Sequence, residues 1–127
     1  MRHEYMLVMG KGGDCLRASI ASILEVPTAS LPHYSSLDGD QISCWNEYLA
    51  PANLCIQPAY GFPYDYYIAG VDYGGGVTHA CVGKGNGICH DPAPGTSDFS
   101  DYKIVFKLEI ALADRSKPRE LAALGLA

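Results

Sequence analysis

At 127 residues the chain has the length of one domain, read here as a single domain over residues 1–127, and it can bury a core without disulfides or metal. Apolar residues make up 48% and charged residues 18%, which excludes a disordered chain. A net charge of −5 with no basic stripe argues against nucleic acid as the main partner, and no apolar run is long enough to span a membrane.

Met1-Arg2-His3-Glu4-Tyr5 lacks the apolar run of a signal peptide, so a cytoplasmic protein is expected, with His3 in a mobile terminus. Tyr5-Met6-Leu7-Val8-Met9 reads as a short strand or an apolar lead-in. Gly10, Gly12 and Gly13 let the backbone turn into a helix that begins at Cys15. Asp14 is a good N-cap, its side chain accepting from unpaired first-turn N–H groups. Leu16, Ile20, Ile23 and Leu24 recur at helical spacing, and Pro27 ends the run. A thiol at the positive end of a helix dipole is favoured as thiolate, the form in which cysteine acts as a nucleophile. The competing reading is a small buried residue in a core helix.

Thr28 to Asp40 is turn-rich, with Leu31-Pro32-His33-Tyr34 extended and His33 in a loop. Asp40 caps a second helix, Gln41 to about Leu49, stopped before Pro51, with Ile42, Trp45 and Leu49 inward and Cys44 in the core. Leu54-Cys55-Ile56 is short and β-like, and Gly61-Phe62-Pro63 is a turn. Strands follow at Tyr66–Val71, Val77–Val82, Ile88–Asp91 and Lys103–Ile110, the last with Ile104, Phe106, Leu108 and Ile110 on one face. Gly74-Gly75-Gly76 and Gly85-Asn86-Gly87 are turns, and Pro92 and Pro94 end the hairpin. Ser116 to Leu124 is predicted as a short terminal helix with Pro118 in its first turn. Helices first and an antiparallel sheet after them is the α+β order. Five cysteines without a CxxC pair suit free thiols better than a disulfide framework.

A cysteine nucleophile needs a base, and the base needs a group to hold its ring. His79 and Asp91 fit those roles if they share a face of the hairpin. A two-residue turn at Asn86-Gly87 pairs Val82 with Asp91 and separates them. A three-residue turn, Gly85-Asn86-Gly87 with Gly87 left-handed, pairs Cys81 with Asp91 and makes His79 and Asp91 diagonal neighbours. The second form is predicted. His90 then faces the other way, as a surface or structural residue. Asp91 before Pro92 also reads as a plain turn starter.

Gly-Asp-Cys-Leu-Arg-Ala at the head of a helix, Thr-His-Ala-Cys-Val-Gly, and then Asn-Gly-Ile-Cys-His-Asp-Pro resemble the papain-like cysteine peptidase superfamily, nearest to its small bacterial and phage members. The resemblance covers roughly Gly12 to Pro94. It implies a papain-like α+β fold, Cys15 as nucleophile, His79 as general base and later acid, Asp91 as the group orienting His79, a peptide or protein substrate, and no cofactor. The family's Gln a few residues before the cysteine is absent; Met9, Gly10 and Lys11 stand there. Losing one oxyanion donor costs about 100- to 1000-fold in rate, so another group fills in or the enzyme is slow.

Two further readings stand beside the peptidase or amidase. One is an inactive domain of the same fold that binds a protein or peptide. The other is a small zinc-binding domain built on Cys81, Cys89, His79 and Asp91, residue types that suit zinc although structural-site spacing is absent. Trp45 reads as core. Tyr60, Tyr64, Tyr66, Tyr67 and Tyr73 line a substrate groove or pack the sheet.

Overall fold

Small residues let the first helix, α1 (Cys15–Leu24), lie close on a sheet: Ala18, Ser19, Ala21 and Ser22 are buried beside Ile20 and Leu24. The helix stops at Glu25 rather than at Pro27. Glu25 takes a left-handed conformation (φ 61°), and the Val26 N–H returns to the Ala21 carbonyl at 3.0 Å, closing a Schellman-type turn. The structure is a computed structural model that describes residues 1–9, 13–34, 40–61, 65–72, 78–93, 95, 99 and 101–126. The predicted turns at Gly74-Gly75-Gly76 and Phe62-Pro63, the glycines Gly10 and Gly12, Pro94, and Tyr64 and Tyr73 lie outside the described residues.

Helix α2 (Gln41–Leu49) begins as expected. Asp40 accepts from the Ser43 N–H at 3.2 Å and from its hydroxyl at 2.8 Å. Its end is not abrupt, since the chain continues through a 3-10 turn at Ala50–Ala52 that carries Pro51 at its start. Trp45 and Leu49 are fully buried, whereas Cys44 is only half-buried.

Five strands follow: β1 (Leu54–Pro58), β2 (Tyr67–Asp72), β3 (Thr78–Lys84), β4 (Gly87–His90) and β5 (Lys103–Leu112). They form one antiparallel sheet in the order β1-β5-β2-β3-β4. The last strand therefore inserts between the first two, pairing Leu112 with Leu54 on one side and Leu108 with Ile68 on the other. Leu54, Ile56 and Ile68 join Ile20, Leu24, Trp45 and Leu49 in one core, with Leu108, Ile110 and Leu112 packed against it. Phe106, expected inward, is 45% exposed and spreads its ring over Gly70, where any Cβ would overlap it. Among the described residues the fold is α+β, two α-helices and a five-stranded antiparallel sheet.

Two stretches remain to be placed, residues 5–9, read as a short strand or an apolar lead-in, and the predicted terminal helix. Residues 5–9 form no strand. Their backbone is instead tied to its surroundings, Met6 N–H to the Pro92 carbonyl at 2.9 Å and Leu7 and Val8 N–H to Asp14. The terminal helix Ser116–Leu124 shrinks to a 3-10 turn at Leu121–Leu124. Asn53 explains this: its Nδ2 donates to the carbonyls of Asp114, Lys117 and Pro118, and a helix over 116–124 would need the last two as acceptors of its own. His3 is not loose either; its ring stacks on His90 at 4.6 Å. Among the described residues no helix is long and apolar enough to cross a membrane.

Candidate active site

Cys15 is the first residue of α1, where the N–H groups of the opening turn have no intrahelical partner. Asp14 stands at the N-cap position but its side chain does not cap. Its fully buried carboxylate accepts from Leu7 N–H at 3.0 Å and Val8 N–H at 3.0 Å, and it pairs with the Arg17 guanidinium at 3.2 Å. Arg17 is held in turn by the Leu31 carbonyl, at 3.1 Å through Nε and 2.8 Å through Nη2. The expected cap is thus withdrawn and its charge neutralised. The positive end of the helix dipole is left to act on Cys15.

Strand β3 brings the histidine. His79 is 7% exposed, and its Nε2 lies 2.6 Å from Asp91 Oδ1. The next residue, Ala80, donates its backbone N–H to Cys15 Sγ at 3.4 Å, which pins the sulfur against the strand. The His79 ring also shares a hydrogen bond with Cys15. Asp91 takes Nε2, which leaves Nδ1 as the ring's other nitrogen. The three residues expected from the sequence therefore meet: thiol, imidazole and carboxylate in a row.

The route to that meeting differs from the expected one. Lys84 pairs with Gly87 across a two-residue turn at Gly85-Asn86, and it is Gly85, not Gly87, that takes positive φ (62°). Glycine at the first central position is what a type II′ hairpin turn favours. The register then shifts between Val82 and Gly83: Gly83 opposes Ile88 but Val82 opposes His90, leaving Cys89 as the extra residue of a bulge. Asp91, the residue after β4, then meets His79 on one face. The bulge supplies the parity that a three-residue turn was expected to supply.

Asp91 is 2% exposed and fully engaged. It accepts from His79, from the Ala93 N–H at 2.8 Å and from the hydroxyl of Tyr102. Its bond from Ala93, two residues on, is the contact a turn starter makes, and the same oxygen also meets the His79 ring. Tyr102 escaped the sequence reading. It precedes β5 and reaches Asp91 only because β5 is drawn in beside β2; its adjacency to that strand was the one available signal.

The charges reinforce one another. Burial favours the neutral forms, yet the hydrogen bonds overcome it at three of the groups. Contacts with His79, Tyr102 and Ala93 hold Asp91 down at about 2, and Asp91, Cys15 and Cys81 push His79 up to about 12. The hydrogen bond with His79, the Ala80 N–H and the imidazolium charge bring Cys15 below the ordinary thiol range. Both shifts favour a thiolate on Cys15 and an imidazolium on His79. Cys81 differs, since burial pushes its thiol up despite the nearby ring.

Other candidates fall elsewhere. His90 is buried and structural, its Nε2 2.5 Å from the Glu4 carbonyl. The four-residue zinc set is not assembled: His79, Cys81 and Asp91 place one ligand atom each within 4.8 Å of one another, but Cys89 turns its thiol to the Val82 carbonyl at 3.5 Å. Tyr67 packs on Gly83, Tyr66 lies under the Lys84 ammonium at 4.6 Å, and Tyr60 is 87% exposed. Two shallow hollows of about 370 and 560 Å³ are lined by residues around Pro51, and neither includes Cys15, His79 or Asp91. Comparisons with family models, with curated proteins and with solved structures found no match to this chain.

Proposed function

We propose that the protein is a papain-like cysteine hydrolase, a peptidase or amidase acting on a peptide or isopeptide bond. The observation that carries this reading is the single row of contacts Cys15–His79–Asp91, with the sulfur at the uncapped head of α1. A buried cysteine that merely fills a core needs neither a lowered thiol pKa nor an imidazole held by a buried carboxylate.

The reaction follows from the geometry. The Cys15 thiolate attacks the carbonyl carbon; an S–C bond forms and the carbonyl π pair moves to oxygen. First-turn N–H groups of α1, which the Asp14 side chain does not cap, are the donors this reading assigns to the charge on that oxygen, in place of the absent glutamine. As the C–N bond breaks, the proton on His79 Nδ1 passes to the leaving nitrogen. Neutral His79 then takes a proton from water, whose oxygen attacks the thioester carbonyl, and Cys15 leaves as thiolate. Asp91 keeps the ring oriented and balances its charge throughout.

The test is a mixed peptide library read by mass spectrometry for new termini and released amines. Products are expected with the parent protein and none with Cys15→Ala. Products that persist in Cys15→Ala, or none from either protein, would overturn the proposal.

A further inference from the structure

Residues 4–8 touch both flanks of the candidate site. On one flank stands Asp14, the residue before Cys15. Its carboxylate is closed to solvent and accepts from Leu7 N–H and Val8 N–H, each at 3.0 Å. The Asp14 N–H returns to the Val8 carbonyl at 3.3 Å. On the other flank stand the two neighbours of Asp91. His90 sets Nε2 2.5 Å from the Glu4 carbonyl, and the Pro92 carbonyl accepts from Met6 N–H at 2.9 Å. Between the flanks the segment is latched to Thr28, beyond the end of α1. Thr28 N–H donates to Glu4 Oε1 at 2.7 Å, and its hydroxyl lies 3.1 Å from both that oxygen and the Tyr5 carbonyl, sharing one proton between them.

We propose that residues 4–8 are a clasp for the centre and that Asp14 is its positioning residue: by gripping Leu7 and Val8 it fixes the head of α1 against the end of β4, and so keeps Cys15 on His79. The row of contacts is drawn from separate elements, the sulfur from α1, the ring from β3 and the carboxylate from the residue after β4. The Ala80 N–H ties α1 to β3 directly, and the clasp supplies the second tie, from α1 to the end of β4. Hydrogen bonds weaken steeply as distance and angle depart from ideal, so a slip of about 1 Å at the head of α1 loosens the pair. A buried carboxylate is tolerated only with its partners in place. Leu7 and Val8 therefore cannot drift from Asp14 without stranding its charge beside Arg17 alone.

The clasp rests on the proposed activation of Cys15 by His79, and it has a consequence of definite sign. Asp14 carries a negative charge one residue from the sulfur. If that charge were its whole effect, removing it would favour the thiolate and move Cys15 alkylation to lower pH. Loss of positioning weakens the contact with His79 and moves alkylation to higher pH.

Cys15 alkylation by iodoacetamide is followed against pH in the parent, Asp14→Asn, Thr28→Val and the control Asp40→Asn, with amide hydrogen exchange read at Leu7 and Val8. Asp14→Asn is expected to shift the profile to higher pH, with a rate near pH 6 about 10-fold or more below the parent. Its Leu7 and Val8 amides should exchange at least about 10-fold faster. Thr28→Val keeps the side-chain shape and removes only the hydroxyl of the latch. It is expected to slow alkylation in the same direction by about threefold or more, and it decides the matter if Asp14→Asn does not fold. Asp40→Asn weakens the cap of α2 and should lower the urea midpoint with the profile unmoved. A folded Asp14→Asn whose profile stays or moves to lower pH, a Thr28→Val profile equal to the parent's, or a control that moves the profile as far as Asp14→Asn would overturn the clasp alone. A parent Cys15 that alkylates no faster than Cys44 would overturn the hydrolase reading and the clasp together.

Discussion

Asp91 is the residue whose loss separates orientation from mere packing. It carries the ring of His79, and its charge is what keeps that ring protonated beside the sulfur. Asp91→Asn removes the charge and keeps the shape. The imidazolium is then less favoured, and the thiolate of Cys15 with it. The expected outcome is that Cys15 alkylation, plotted against pH, shifts to higher pH in Asp91→Asn, with a rate near pH 6 about 10-fold or more below the parent. Tyr102→Phe removes one of the bonds Asp91 accepts, so a smaller shift in the same direction is expected from the same plot. An unmoved profile in both variants would make the carboxylate a turn-former only. At this scale the sequence was legible: a cysteine heading a helix, a histidine early in a strand and an aspartate after the hairpin each announce themselves locally. Tyr102 and the turned-away Asp14 did not, because each is placed by a distant partner, β5 in one case and the backbone of Leu7 and Val8 in the other.

Strands and turns set the geometry those residues need. Tyr67 lies on Gly83 of β3 and Phe106 on Gly70 of β2, so a methyl group at either glycine collides with a ring. Gly83→Ala is expected to lower stability by about 1–3 kcal/mol through overpacking, measured as a shift in the urea midpoint. Because Gly83 borders the β4 bulge, Cys15 alkylation should slow as well; a stable variant with unchanged alkylation would detach the bulge from the site. Asn53→Ala frees three carbonyls near the C-terminus and is expected to cost about 1–2 kcal/mol without changing alkylation. The start of α2 was readable from Asp40, which caps it, and that of α1 from the apolar spacing after Cys15, since Asp14 does not cap; the end of α1 was not, since a left-handed Glu25 lacks the glycine that usually marks such a stop. The hairpin was half-readable. Gly85-Asn86-Gly87 suits more than one turn, and only pairing with β3 decides that Gly85 turns and Cys89 bulges. The terminal helix failed for a long-range reason, an asparagine 61 to 65 residues earlier in the chain capturing its carbonyls.

Across the whole molecule, the charged row ties the candidate site to stability. The carboxyl of Asp91 falls from an ordinary 3.8 to about 2 on folding, so its stabilisation is complete above 3.8 and is lost as pH drops toward 2. The ring of His79 rises from 6.5 to about 12, so its stabilisation is complete below 6.5 and is lost as pH climbs toward 12. The two windows overlap between 3.8 and 6.5. The stability gap between the parent and Asp91→Asn is expected to be widest there, about 1–3 kcal/mol, and to shrink toward pH 2 in urea titrations. A gap that stays constant down to that pH would mean the carboxylate is not ionised by its neighbours. The α+β order was legible from helical periodicity giving way to alternation, whereas the insertion of β5 between β1 and β2 was not, because pairing partners leave no mark in a single strand. The central claim is that an imidazole on the sheet ionises the sulfur at the head of α1. The most direct measurement is the rate of iodoacetamide alkylation at each cysteine in mildly acidic buffer, resolved by peptide mapping. Cys15 should react well ahead of Cys44 and Cys55, and His79→Ala should abolish that lead; Cys15 reacting no faster than those two in the parent would contradict it.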